Sequence, residues 1–103
     1  MTQRTAFVLH VRPDRVDDYV AAHGHVWPEM LEALSDAGIR NYSIFRDGSQ
    51  VFGYFEADDL EAAATYLARQ PVSAQWQDSM ADFLEERVPD AGPPPLEQIF
   101  RLD

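Results

Sequence analysis

Cysteine is absent from this chain of 103 residues, which excludes disulfides, thiolate nucleophiles and thiolate metal ligands together. Basic side chains are scarce. Eight Lys and Arg stand against eighteen Asp and Glu, a formal charge of −10, so the surface repels phosphate backbones and anionic bilayers, and neither nucleic acid nor membrane is an expected partner. No apolar run approaches the roughly 20 residues that span a bilayer, and the N-terminus lacks the long apolar segment of a signal peptide. A soluble, cytoplasmic protein is expected. The five glycines are scattered singly, so there is no phosphate-cradling loop, and no serine sits in a Gly-x-Ser-x-Gly elbow. No cofactor fingerprint is present. His23 and His25 are two apart, about 200° around a helix, and no third ligand, His10 included, stands at a recognisable spacing. No metal site is expected.

What the chain does have is apolar and aromatic: 46% hydrophobic and 12% aromatic residues, enough for one core and one domain over residues 1–103. Thr5 to Val11 alternates Phe7, Leu9 and Val11 against Ala6, Val8 and His10 and reads as a strand. Arg12-Pro13-Asp14 turns into a helix with Asp14, Asp17 and Asp18 near its positive end. Gly24 and Trp27-Pro28 break that helix, Pro28 opens a second section to about Ala37, and Gly38 caps it. Arg40 to Arg46 and Ser49 to Ala57 are strands joined by the tight-turn signal Asp47-Gly48. An alanine-rich helix from Asp59 to about Gln70 takes Asp58 or Asp59 as its cap. Pro71 ends it or starts a helix predicted to about Glu86, with Val72, Trp76, Ser79, Met80, Phe83 and Arg87 on one face. Val88 to Pro95 holds four of the seven prolines and reads as an irregular loop, and Leu96 to Leu102 reads as a last strand. The order is that of an α+β, ferredoxin-like split β-α-β fold of the dimeric α+β barrel type, an antiparallel sheet with helices on one face. A small sheet covered on one face needs a cover for the other, so a homodimer is expected.

The chemistry concentrates between Asp17 and Met30. Tyr19 and His23 are four apart and share a helical face with Val16, Val20, Trp27, Met30, Leu31 and Leu34, so a phenol and an imidazole point inward together. Both residues also serve as core fillers whose polar tips find backbone partners. With thiol, metal and phosphate-loop chemistry set aside, general acid and base work by His, Tyr and carboxylates remains. Trp27 and Trp76 fill cores, and a cleft tryptophan also stacks on a sugar ring. Tyr42 lies in an inward pattern on the second strand. From the residues alone, these features describe a small polar ligand in a pocket with an acid–base pair.

The pattern as a whole resembles the L-rhamnose mutarotase family. The resemblance rests on Ala6-Phe7-Val8, on Tyr19 through His23 followed by Val26-Trp27-Pro28-Glu29, and on Ala37-Gly38-Ile39 with Asn41-Tyr42-Ser43-Ile44-Phe45. It continues through Gln75-Trp76, Met80-Ala81-Asp82 and Leu96-Glu97-Gln98-Ile99-Phe100 with Leu102, over essentially the whole chain. It implies a small homodimeric ferredoxin-like enzyme that interconverts the α and β anomers of L-rhamnose without metal or cofactor. It further implies that His23 is proton donor and acceptor, and that Tyr19, Tyr42, Trp76 and position 77 touch the sugar. The chain departs from the family pattern at Ala21 and Ala22, where two arginines are usual, and at Gln77, where a second tryptophan is usual. Its Pro89-Asp90-Ala91-Gly92-Pro93 also differs from the family's Asn-Pro-Asp-Asn-Ser-Pro loop. The departures alter the walls and leave the proton-transfer pair, so the reaction is better specified than the sugar. Two other functions fit the same scaffold: a cofactor-independent monooxygenase or lyase with an aromatic substrate, and a non-catalytic sugar-binding module.

Overall fold

Alternation along the first strand decides which way the sheet faces. In the computed structural model, which describes residues 1–89 and 92–102, β1 (Gln3–His10) buries Phe7 and Leu9 against the helices and turns Val8 the other way. β2 (Arg40–Asp47) and β3 (Gln50–Ala57) form the expected hairpin. Gly48 takes φ +60° at the first central position of its turn and Ser49 keeps a negative φ, the signature of a type II′ turn. The sheet is antiparallel with order β1-β3-β2. Register places Phe7 opposite Gly53, and Gly53 opposite Ile44. The Phe7 ring lies across Gly53, where a Cβ would collide with it; the glycine is the space the ring occupies. Between Arg40 and Ser43 the register shifts by a bulge, with Asn41 at φ +54°. The extra residue puts Arg40 and Ser43 on the same face.

The helices start and stop where proline, glycine and aspartate dictate. A 3₁₀ turn at Pro13–Arg15 leads into α1 (Val16–His23). Trp27 is extended (φ −59°, ψ 137°) ahead of Pro28, which opens α2 (Pro28–Asp36), as the clash between a proline ring and its predecessor requires. At the end of α2, Ile39 N–H donates to the Leu34 carbonyl and Gly38 N–H to that of Ser35, with Gly38 at φ +85°. This is a Schellman motif, and it sets Leu34 beside Ile39. Asp59 caps α3 (Leu60–Ala68), its Oδ1 accepting from Ala62 N–H at 3.0 Å. Pro71 opens α4 (Pro71–Met80). Phe7, Leu9, Tyr19, Val51, Trp76 and Met80 belong to one buried cluster between sheet and helices.

Two expectations are corrected. The helix predicted to reach Glu86 ends at Met80 and tightens to a 3₁₀ turn at Ala81–Phe83. Leu84 then becomes extended and buried, bridging Val11, while Arg12 N–H donates to Phe83 O and Glu85 N–H to His10 O. Pairing with the end of β1 overrides helical periodicity there. The last strand does not form in the single chain: Leu96 N–H donates to Ala6 O at 2.7 Å, but residues 96–102 carry no regular structure, and among the described residues no strand pairs with the outer edge of β1. Pro93, Pro94 and Pro95 lack the N–H groups a ladder needs, and Ile99, Phe100 and Leu102 stand in solvent. Of the proline-rich loop, Asp90 and Ala91 lie outside the described residues; the described part is irregular, as expected. Among the described residues no helix is long and apolar enough to cross a membrane.

Candidate active site

Every residue of β2 is exposed, including Tyr42 and Ile44 on the helix-facing side, because the helices leave a cleft over this strand. The cleft has a volume of about 410 Å³, and its walls include His23, Tyr42, Trp76 and Gln77. A recess of about 50 Å³ adjoins it through those same four residues and adds Tyr19. The five site residues expected from sequence thus border one recess.

His23 closes α1 and is half-buried. Its Nδ1 lies 3.0 Å from the Tyr19 carbonyl oxygen. A carbonyl only accepts, so this contact is a hydrogen bond when Nδ1 carries the proton, and the neutral ring then keeps its free lone pair on Nε2. The spacing of four that stacks the two side chains therefore also selects a tautomer. The rings stand 4.4 Å apart at a 39° tilt.

Trp76 meets His23 edge to face at 5.6 Å, and Trp27 meets Trp76 in the same manner at 5.1 Å. Trp27, extended before Pro28, braces Trp76 from behind, and Trp76 in turn bounds the imidazole. Tyr42 stacks on Phe55 at 5.0 Å and makes a T-shaped contact with Phe7 at 6.3 Å between centroids. Gly53 thus bears on the site through Phe7. Burial pushes the Tyr19 hydroxyl up to about 12. The Tyr42 hydroxyl is raised too, first by burial among protein atoms and then by Tyr19, although its ring remains partly accessible through the open cleft. Both phenols are protonated and able to donate at neutral pH.

Neither of the other histidines reaches the cleft. His10, at the end of β1, pairs with Glu86, its Nδ1 3.5 Å from Oε2. With Glu85 it forms an exposed trio whose ligand atoms lie within 4.8 Å of one another, away from the recess and of a kind that could hold a cation. His25 borders a shallow groove with Ala21, Ala22 and Arg15 on the far side of Trp76. Sequence reasoning missed Ser73, buried in the cleft wall. Its position one turn before Trp76 was the available signal. It also missed Gly92 and Pro93, which line the cleft from the irregular loop and carry no periodicity to read.

Comparison with known proteins gives a consistent result. A family model described as L-rhamnose mutarotase matches residues 4–102. A protein of Pectobacterium carotovorum named L-rhamnose mutarotase is 39% identical over 104 aligned residues, covering 97% of this chain and 98% of the relative. One of Oceanobacillus iheyensis with the same name is 33% identical, covering 98% and 99%. The crystal structure of an L-rhamnose mutarotase from Formosa agariphila superposes with a TM-score of 0.77 at 31% identity, covering 98% of this chain and 99% of that one.

Proposed function

The chain belongs to the L-rhamnose mutarotase family and is thereby an isomerase, and we propose that it interconverts the α and β anomers of L-rhamnose or a related 6-deoxy sugar with His23 as the proton-transfer group. The observation that carries the mechanism is the 3.0 Å approach of His23 Nδ1 to the Tyr19 carbonyl, because it leaves Nε2 as the basic nitrogen. In the forward direction Nε2 takes the proton from the anomeric hydroxyl. The electron pair of that O–H forms the C1 carbonyl, the bond from C1 to the ring oxygen breaks, and the imidazolium returns its proton to the ring oxygen. Both oxygens are bonded to C1, so one imidazole serves both with a small shift of the sugar. Rotation about C1–C2 presents the other carbonyl face, and the same steps in reverse close the ring.

Tyr19 acts as hydrogen-bond donor and relay. With its pKa near 12, full ionisation at neutral pH would cost about 7 kcal/mol, whereas donation to a developing oxygen charge costs nothing of the kind. Trp76 supports the apolar face of the sugar, and Tyr42 and Gln77 hold hydroxyls. A positioned acid–base group contributes about 10² to 10⁴ in rate.

The working unit in this proposal is a cytoplasmic homodimer that uses no cofactor. Phe45 and Phe52 on the outer face of the sheet, together with Ile99, Phe100 and Leu102, are exposed. A second copy that covers them and receives residues 96–102 beside a strand accounts for apolar surface that a monomer leaves in water. Titration with L-rhamnose and L-fucose, followed by tryptophan fluorescence and by saturation-transfer NMR of the anomeric protons, tests the function. Binding with accelerated exchange supports the mutarotase. Binding without it leaves a sugar-binding module, and the absence of both binding and exchange points to a monooxygenase or lyase.

A further inference from the structure

The recess and the cleft are two parts of a longer space. The cleft continues, through walls shared at Ile39, Phe55, Leu67, Gly92 and Pro93, into an extension of about 230 Å³. Beyond those shared residues the extension is bounded by Thr5, Leu60, Ala63, Ala64 and Pro95, with Glu61. None of Tyr19, His23, Tyr42, Trp76 or Gln77 borders it. The space therefore has a direction: Tyr19, His23, Tyr42, Trp76 and Gln77 gather at the recess, and the far end is lined mainly by apolar side chains, with Thr5 and Glu61 its polar members. A sugar hydroxyl sent toward Leu67 and Ala63, both buried, would find few polar partners there, and leaving it unpaired carries a penalty. An apolar group would gain by the area it removes from water.

We propose that this space takes reducing 6-deoxy sugars bearing a neutral alkyl or acyl group on the oxygen across the ring from C1, with that group lying in the extension beside Ile39, Leu67 and Ala64. This rests on the function proposed above. With C1 and the ring oxygen at His23, the C3–C4 edge of a pyranose chair is directed away from the imidazole, and of its two oxygens the one on C4 lies opposite C1, on the side of the cleft that opens into the extension. The Glu61 carboxylate and the acidic chain as a whole disfavour anionic substituents such as sulfate or a carboxylate. The cleft and extension together match the size of sites that hold ligands larger than one sugar ring.

The test compares L-rhamnose with its 4-O-methyl and 4-O-propyl ethers as substrates, reading the concentration that half-saturates anomer exchange. Each further buried methylene strengthens binding about fourfold, so the propyl ether should half-saturate at a concentration on the order of tenfold below the methyl ether. Ala64→Leu fills the extension and should erase that advantage while leaving exchange of L-rhamnose intact. Ile39→Asn, placed at the junction, should erase it as well, and circular dichroism checks that both variants fold. Equal half-saturation for all three sugars, with exchange of L-rhamnose present, overturns this proposal and spares the mutarotase; so does a propyl advantage that survives both variants. Absence of exchange for every sugar overturns the mutarotase reading and this one with it.

Discussion

Replacing Gly53 by alanine should damage both fold and site through one ring. The methyl group would land on the Cζ, Cε2 and Cε1 atoms of Phe7. Phe7 is 3% exposed and belongs to the main core cluster, so its ring has nowhere to retreat without displacing other core side chains. Overpacking of this kind costs about 1–3 kcal/mol, and partial expulsion of a phenylalanine forfeits up to about 3 kcal/mol of burial. A loss of about 3 kcal/mol is therefore expected, a large share of the 5–15 kcal/mol typical of a domain. Urea unfolding followed by tryptophan fluorescence measures it. Phe7→Leu removes the three colliding atoms, so the double variant should be more stable than the sum of the single losses, with a coupling of at least about 1 kcal/mol. Because Phe7 also meets Tyr42 in a T-shaped contact with ring centroids 6.3 Å apart, Gly53→Ala should weaken sugar binding as well. A loss below about 0.5 kcal/mol, within the range of an ordinary surface change, or strict additivity in the double variant, refutes the packing argument.

Asp59→Ala should cost about 1 kcal/mol by removing the cap that accepts from Ala62 N–H, with a lower urea midpoint as the readout; Asp59→Asn should restore most of it. Tyr19 has an ordinary pKa of 10.0 and a folded value of about 12, so the folded state holds this proton more tightly. Its contribution is full below pH 10 and is lost as pH rises toward 12, a loss of about 3 kcal/mol over the whole window. Urea midpoints measured across that range should fall steeply for the wild type and less steeply for Tyr19→Phe; equal slopes contradict the assignment. On the outer face of the sheet, Glu56 is held below the ordinary carboxylate value first by the Tyr54 hydroxyl and then by Asn41. Tyr54→Phe should raise the Glu56 value in an NMR titration, and an unchanged value would show that the 2.6 Å contact does not persist in solution.

The sequence spoke clearly wherever local physics decides. Pro28, Gly38, Gly48 and Asp59 each impose a local geometry, and each break, cap or turn read from them is found in place. The spacing of four between Tyr19 and His23 and the inward pattern of Tyr42 and Trp76 led to residues that border one recess. What was not legible depends on partners distant in sequence. Helical periodicity past Met80 was real, but Leu84 exchanges it for a bridge to Val11, seventy-three positions earlier in the numbering. β-forming composition at Ile99 and Phe100 cannot supply a strand to pair with. The apolar extension beyond Leu67 is bounded by residues from Thr5 to Pro95, and no local window contains them.

The most direct test is anomer exchange of L-rhamnose in His23→Gln, measured by saturation-transfer NMR beside the wild type at equal concentration and neutral pH, with circular dichroism and tryptophan fluorescence confirming the fold. Glutamine keeps a hydrogen-bonding side chain but neither accepts nor returns a proton in this range. If His23 carries the proton, enzyme-dependent exchange falls by at least about a hundredfold while L-rhamnose still quenches or shifts the fluorescence. Exchange at the wild-type rate in a folded His23→Gln protein would remove His23 from the chemistry.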